Sequence, residues 1–570
     1  MGKGDIMFNI SMKQLAKTAL LFSSAAVFIW VLSDEEILKD QTNTTSTSYI
    51  ISAKNYDALQ QQVAEMHLKP THELSIINAL ALDLTPEQLT RLQSKIKVQV
   101  SANHQVKLSG WNKGQRRWQP RSVVADYIGA SDAHHYYNFG DGVTIGFLDT
   151  GLDQLYGLSN DLYGRDKAWG TYDAINNTVS NYDNEASGHG THVASIAGNS
   201  DYDINGKIYG IAPNAPLVGI KAFDADGKAT YADVIRGIQW ALSVKDQINL
   251  RVLNMSFSAP VSSYYWEDPL NQAVMKAWQA GIVVVASAGN KGPDPMSIGV
   301  PGNVPYIITV GAMTDNYSSE IKNDDFVASF SSSGPTFEGF VKPEIVAPGG
   351  HISGLMSYDS QIVIDHPEFS DGGRYFEMSG TSQAAAVVSG AVALLLTENP
   401  ALTPDEVKCK LMASAHPALK ADGSFAYSVF QQGSGVINVK DALASSATSC
   451  ANQSLNIAQD LLNQKHFYGP TNINSDGNFY IEGLGEEYVW NVTHKLVDGD
   501  TFVWKTNVST DTFVWKTSFG ADTELPWRTN FEAATFVWKT NVTTDTFVWK
   551  TNIDFNNTEN ISINNWVAQQ

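Results

Sequence analysis

What most constrains this sequence is its alternation of short, wholly apolar runs with longer segments of helical spacing. Residues 143–148, 216–220, 252–255, 282–286 and 306–310 are too apolar to leave one face wet, as expected of strands buried on both faces. Between them, residues 231–244 carry Val234, Ile238 and Leu242 four apart, and residues 269–280 carry Leu270, Val274 and Trp278 at the same spacing. Each reads as an amphipathic helix. Strands alternating with helices predict an α/β fold: a doubly wound, mostly parallel sheet with helices on both faces and a ligand site at the carboxyl ends of its strands. Residues 381–396 are almost wholly small or apolar, which predicts a helix buried on every side. Thr403-Pro404-Asp405-Glu406 starts another helix, and residues 433–443 close the domain.

A chain of 570 residues exceeds one compact core, and the pattern changes along it mark four parts. In residues 1–33, Lys13 and Lys17 precede an apolar run over 19–32 that ends before Asp34-Glu35-Glu36. This is the layout of a signal peptide, and the run falls short of the roughly 20 residues that span a bilayer, so cleavage near Ser33 is preferred to a lasting anchor. Residues 34–115 hold a small α+β unit. Its clearest piece is a helix start with Thr85 as N-cap, Pro86 at the first helical position and Gln88 completing a capping box. Val98 and Val100 alternate with polar neighbours as a last strand, and the polar, basic stretch 109–121 reads as a linker. The α/β domain occupies residues 120–447. In residues 452–570 the hexapeptide Thr-Phe-Val-Trp-Lys-Thr recurs at Thr501, Thr512, Thr535 and Thr546, with Phe and Trp two apart on one face of a short strand, so this region is expected to be β-rich.

Thirty-eight basic against 59 acidic residues give a net charge of −21, which argues against nucleic acid or an anionic membrane surface as a partner. Cys409 and Cys450 match no zinc spacing; they are either bridged or two separate buried thiols.

Asp149 follows the apolar run 143–148 and precedes Thr150-Gly151, which sets a carboxylate at the end of a buried strand. His189 lies in Gly188-His189-Gly190-Thr191-His192 at the start of a helix ending near Gly198, with glycines on both sides that leave it accessible. A zinc pair with His192 is disfavoured, because the spacing is three and no Glu intervenes; His192 reads as structural. Ser382, in Ser379-Gly380-Thr381-Ser382-Gln383, sits at the N-terminal end of the buried helix. Unpaired N–H groups there favour developing negative charge, which suits acyl transfer. Asn290 ends Ser287-Ala288-Gly289-Asn290 after another strand and offers an amide donor to an oxyanion. Each signal is weak alone, but all four fall where the predicted sheet opens one cleft. Asn199-Ser200-Asp201-Tyr202-Asp203-Ile204-Asn205-Gly206 is rich in oxygen ligands; it reads first as a polar loop and second as a structural calcium site.

The order Asp, His, Ser with these neighbours resembles the subtilisin-like serine proteases, or subtilases, over about residues 124–443. The likeness includes Leu148-Asp149-Thr150-Gly151, the His189 block, Leu253-Asn254-Met255-Ser256, Ala288-Gly289-Asn290 and Gly380-Thr381-Ser382. Val300-Pro301-Gly302-Asn303 and Phe330-Ser331-Ser332-Ser333-Gly334-Pro335 are similar to the AprX-like branch.

The resemblance implies a secreted serine endopeptidase acting on proteins and peptides, with no cofactor needed for its chemistry. In it Ser382 is nucleophile, His189 general base and acid, and Asp149 the residue that orients the imidazole, while Asn290 and the Ser382 N–H form the oxyanion hole. It also implies a groove lined by Ser256, Phe257 and Ser258 and by Ala286, Ser287 and Ala288, where a peptide adds as a strand. The α+β unit resembles the family's inhibitory propeptide, expected to block the cleft and to be removed by self-cleavage between about residues 109 and 124. Two departures stand out: Ala386-Val387 where many relatives have Pro-His, and Phe257-Ser258 where Leu-Gly is usual.

Overall fold

Alternation along its strands explains why the N-terminal unit has two different faces. The computed structural model describes residues 46–108, 124–183, 185–314, 325–420 and 423–481, and the backbone of Phe502–Trp504. The expected signal peptide, the linker over 109–121 and the other hexapeptide copies lie outside the described residues. The unit comprises β1 (Thr47–Ser52), α1 (Tyr56–Glu65), β2 (His72–Leu74), β3 (Ala79–Leu84), α2 (Pro86–Lys95), β4 (Gln99–Ala102) and a trailing strand, β5 (Gln105–Leu108). Its antiparallel sheet runs β2-β3-β1-β4. Ile51, Leu80, Leu82 and Leu84 meet Leu59 and Val63 of α1 and Leu92 of α2. The intervening Ile50, Ala79 and Ala81 belong instead to the core of the main domain, their small methyls allowing close approach. The capping box of α2 forms as read, with the Thr85 N–H donating to Gln88 Oε1 at 2.9 Å.

In the main domain α3 (Val124–Tyr127) and α4 (Ala130–His135) lead into β6 (Thr144–Asp149). There follow β7 (Ala168–Asp173), β8 (Thr178–Ser180), α5 (His189–Gly198), β9 (Leu217–Lys221), β10 (Lys228–Thr230), α6 (Tyr231–Val244), β11 (Leu250–Met255), β12 (Phe257–Ser258), α7 (Pro269–Gln279) and β13 (Val283–Ser287). Then come β14 (Ile308–Thr314), β15 (Phe326–Val327), β16 (Ile345–Pro348), β17 (Ile352–Leu355), α8 (Gln361–Asp365), β18 (Tyr375–Met378), α9 (Thr381–Glu398) and α10 (Pro404–Ala413).

Nine strands form the main sheet in the order β15-β14-β13-β11-β6-β9-β7-β8, with β16 also on β14. It is parallel except for the short β8 and β15. The chain leaves β6 toward β9 on one side and β11 lies on the other, so the strand order reverses at β6, where an open parallel sheet forms its crevice. Helices α5 and α9 form one layer against the sheet, and α6 and α7 another. Residues 381–396 of α9 are buried without exception, as its unbroken apolar run requires.

Cys409 and Cys450 are bridged, with Cα atoms 5.2 Å apart. Beyond the bridge the structure departs from the boundary that composition suggests at residue 452. Phe467, Phe479 and Ile481 enter the main core, and buried Asp460 bonds the hydroxyls of Tyr265 at 2.8 Å and Tyr306 at 2.5 Å and Nδ1 of His466 at 2.9 Å. Residues 452–481 are thus an arm of the main domain. Within the first hexapeptide copy, Phe502–Trp504 pairs antiparallel with Ala418–Lys420.

The N-terminal unit docks on α6. The Tyr231 N–H donates to the His104 carbonyl at 2.8 Å and the Ala232 N–H to Asn103 Oδ1 at 3.0 Å, so two donors at the start of that helix are satisfied from outside it. His72 Nε2 lies 3.0 Å from Asp233 Oδ1. From there β5 runs between β10 and β12, antiparallel to both, with Val106 opposite Ala229, Lys107 opposite Ser258 and Leu108 opposite Phe257.

Candidate active site

Each element delivers one functional side chain to the crevice. Asp149 is the last residue of β6 and is fully buried. Its Oδ1 accepts from the Thr150 N–H at 2.8 Å and lies 2.7 Å from Nδ1 of His189. A buried carboxylate that accepts from Nδ1 fixes the imidazole with Nε2 free to take a proton.

His189 opens α5, and here the structure corrects the expectation that its flanking glycines give access. The histidine is fully buried. Gly188 takes φ +97°, and a Cβ on Gly190 would stand 2.2 Å from the Gly151 carbonyl. The glycines therefore permit close packing of the loop after β6 against the start of α5. His192 bonds the Phe376 carbonyl at 2.9 Å, and burial pushes its pKa down to about 3, so it stays neutral and structural.

Ser382 is the second residue of α9, whose N-cap is Gly380. Its Oγ donates to the Ser256 carbonyl at 3.0 Å, and Ser256 Oγ donates back to the Ser382 carbonyl at 2.9 Å. The structure thus joins Asp149 to His189 but shows no Ser382–His189 hydrogen bond; Nε2 of His189 is buried without a partner. Asn290 is oriented through its oxygen, which accepts from the Thr381 N–H at 3.0 Å and Thr381 Oγ1 at 2.7 Å. That leaves its Nδ2, also buried and unpartnered, one residue away from Ser382. Buried polar atoms without partners are few in folded proteins, and two of them here belong to groups suited to moving a proton and holding an anion.

Of the six expected groove residues, Phe257 and Ser258 form β12 and receive β5. Ser256 precedes them and latches Ser382. Ala286, Ser287 and Ala288 are buried behind the edge, where Ser287 Oγ donates to the Phe257 carbonyl at 3.0 Å. The Phe257 ring is buried against Phe223, 5.2 Å between centroids, so this departure from the usual Leu fills the core. Ala386 and Val387 lie buried within α9, past the turn that holds Ser382.

In the loop 199–206 the two acidic side chains are held by protein groups. Asp201 is taken up by Arg374 and the Tyr375 hydroxyl, both at 2.8 Å, and Asp203 by the backbone N–H groups of Asn205 and Lys207. Among the described residues no cluster of three or more His, Cys, Asp or Glu is placed to hold a metal.

Sequence reading missed two supports, Lys167 and Glu185, and named Asn254 without this role. Asn254 bridges Ser389 Oγ at 2.9 Å and Ser256 Oγ at 2.8 Å, tying α9 to the end of β11. Lys167 is buried and donates to the Pro213 carbonyl at 2.6 Å and to that of Gly198, the last residue of α5. Glu185 caps the other end of that helix. Its only sequence signal is an acidic residue four before the histidine.

The subtilase family's sequence profile matches residues 140–435. Serine protease AprX of Bacillus subtilis is 39% identical over 309 residues, covering 53% of this chain and 66% of AprX. Subtilisin DY of Bacillus licheniformis is 34% identical over 305 residues, 53% of this chain and 91% of that protein. The crystal structure of fervidolysin from Fervidobacterium pennivorans, a keratinolytic enzyme related to subtilisin, aligns with a TM-score of 0.55 at 23% identity, covering 71% of this chain and 62% of that one. At that identity the likeness concerns the fold.

Proposed function

This chain belongs to the subtilase family of serine endopeptidases, and we propose that it cleaves proteins through an acyl-enzyme on Ser382 and is made as a precursor that processes itself. The observation that carries this reading is the buried 2.7 Å Asp149–His189 pair, which leaves Nε2 of the imidazole without a partner. Ser382 Oγ turns from the Ser256 carbonyl toward Nε2, gives up its proton there and attacks the scissile carbonyl. The oxyanion so formed accepts from Asn290 Nδ2 and the Ser382 N–H. His189 returns the proton to the leaving amine, and water then repeats the sequence on the acyl group.

The β5 register supports self-processing. With Lys107 opposite Ser258 and Leu108 opposite Phe257, β5 lies along β12, whose first residue follows Ser256 directly. The Ser256 carbonyl is where Ser382 Oγ rests. We place the bond cut between Ser109 and Gly110, at the start of the stretch expected to be cleaved. The Cys409–Cys450 bridge supports an oxidising compartment, and with it secretion.

A serine-directed phosphonate, followed by peptide mapping, tests both steps. Modification is expected at Ser382, with a mature N-terminus at Gly110; Ser382→Ala is expected to take no label and to keep precursor size. An unlabelled wild-type chain would end the enzyme reading, and a Ser382→Ala precursor that matures when made alone would end self-processing.

A further inference from the structure

Resting on the serine endopeptidase reading, we propose that Glu185 is a positioning residue for His189, holding the start of α5 at the height where the imidazole meets Asp149. Helix α5 has no side-chain N-cap of its own, because its N-cap is Gly188. Glu185 takes that place from outside: Oε1 accepts from the Gly188 N–H at 2.7 Å, and Oε2 from Thr191 Oγ1 at 2.8 Å and the Thr191 N–H at 3.4 Å. These three donors bracket His189. Thr191 Oγ1 in turn accepts from the Asp153 N–H at 2.9 Å, so the carboxylate fixes the loop after β6 as well as the helix. Space around Gly151 shows how tightly the two are joined, since a Cβ there would stand 3.0 Å from Cγ of Glu185.

Among the described residues Glu185 makes no ion pair. It faces Asp149 on β6, Asp153 and Asp183 in the adjoining loops, and His189 and His192 on α5; Lys221 on β9 is engaged by Asp183 at 3.5 Å. Burial raises the carboxyl pKa, the charge of Asp149 adds to this, and the bonds from Thr150, Gly188 and Thr191 oppose it. A raised carboxyl takes up its proton at higher pH than an ordinary glutamate. On acidification the clamp on Thr191 therefore loosens while the fold persists, and activity falls with it.

Glu185→Gln keeps the shape and cannot ionise. Expected are a kcat lowered roughly ten- to a hundredfold with KM unchanged and an acid limb of kcat/KM moved to lower pH. Thr191→Val, which removes one donor and leaves the charge, is expected to lower kcat and, because the lost bond holds the carboxyl down, to move the acid limb to higher pH, opposite to Glu185→Gln. Neither result follows from lost stability alone, which would lower Tm and the titrated active-site concentration but not kcat per site. A second readout does not depend on turnover: in the Ser382→Ala precursor, the downfield proton resonance of the His189–Asp149 hydrogen bond is expected to move when Glu185→Gln is added. An unmoved resonance together with an unchanged kcat per site would overturn the assignment. A moved resonance in a chain whose wild type takes no phosphonate would uphold it and reject the protease reading instead.

Discussion

Asn290 shows how one side chain is aimed by its neighbour. With its oxygen bound twice by Thr381, the amide cannot flip without losing both bonds, so Nδ2 stays available for the oxyanion of the proposed mechanism. Asn290→Ala is expected to lower kcat about 10²–10³-fold, the loss known for the corresponding donor in subtilisin. KM should change little, because that donor serves the transition state, and steady-state kinetics on a peptide anilide would show the split. At this scale the sequence was informative wherever chemistry restricts residue type. Asp149, His189, Ser382 and Asn290 could be picked out because each combines a reactive group with the end of an element. The setting of His189 was not legible. Glycine on either side is equally consistent with exposure and with tight packing, and only the Gly151 carbonyl, 39 residues before Gly190, decides between them.

Among elements, legibility followed apolar content. The central strands β6, β9, β11, β13 and β14 were visible as continuous runs, whereas β7 carries Gly170 and Thr171 and pairs through a register shift, so its pattern is broken before any periodicity can build up. Helix α10 was readable from its start at Thr403-Pro404-Asp405-Glu406, but its tie to the following segment was not, because two cysteines carry no pairing information. The Cys409–Cys450 bridge closes a 41-residue separation. Loop-closure entropy assigns such a link about 4 kcal/mol. Denaturant unfolding of the Cys409→Ala/Cys450→Ala variant, made in the Ser382→Ala background to prevent self-digestion, is expected to show a loss near that size. No change in midpoint would mean that packing alone holds the arm.

For the whole molecule, the largest misreading was of extent. Composition turns to Asn and Thr near residue 452, yet packing continues to Ile481, because a few apolar residues in a polar stretch suffice to anchor it. Ending the chain after Ala451 would remove Phe467, Phe479 and Ile481 from the core and leave Tyr265 and Tyr306 without the Asp460 acceptor. At roughly 1.5–3 kcal/mol for each of these three large apolar side chains, the expected loss is about 5–9 kcal/mol. It should appear in thermal unfolding as a markedly lower Tm than that of the full chain, both carrying Ser382→Ala.

The three-stranded sheet has a consequence for what such an enzyme can digest. On the proposed self-processing, removal of β5 leaves Lys228–Thr230 and Phe257–Ser258 as two facing lanes of amide and carbonyl groups with room for one straight length of chain between them. A coil of helix or a tight corner does not fit a slot of that kind, so a target protein is admitted only where it frays long enough to lie flat. The rate at which different proteins disappear would then rank their local looseness before it ranked their amino-acid content.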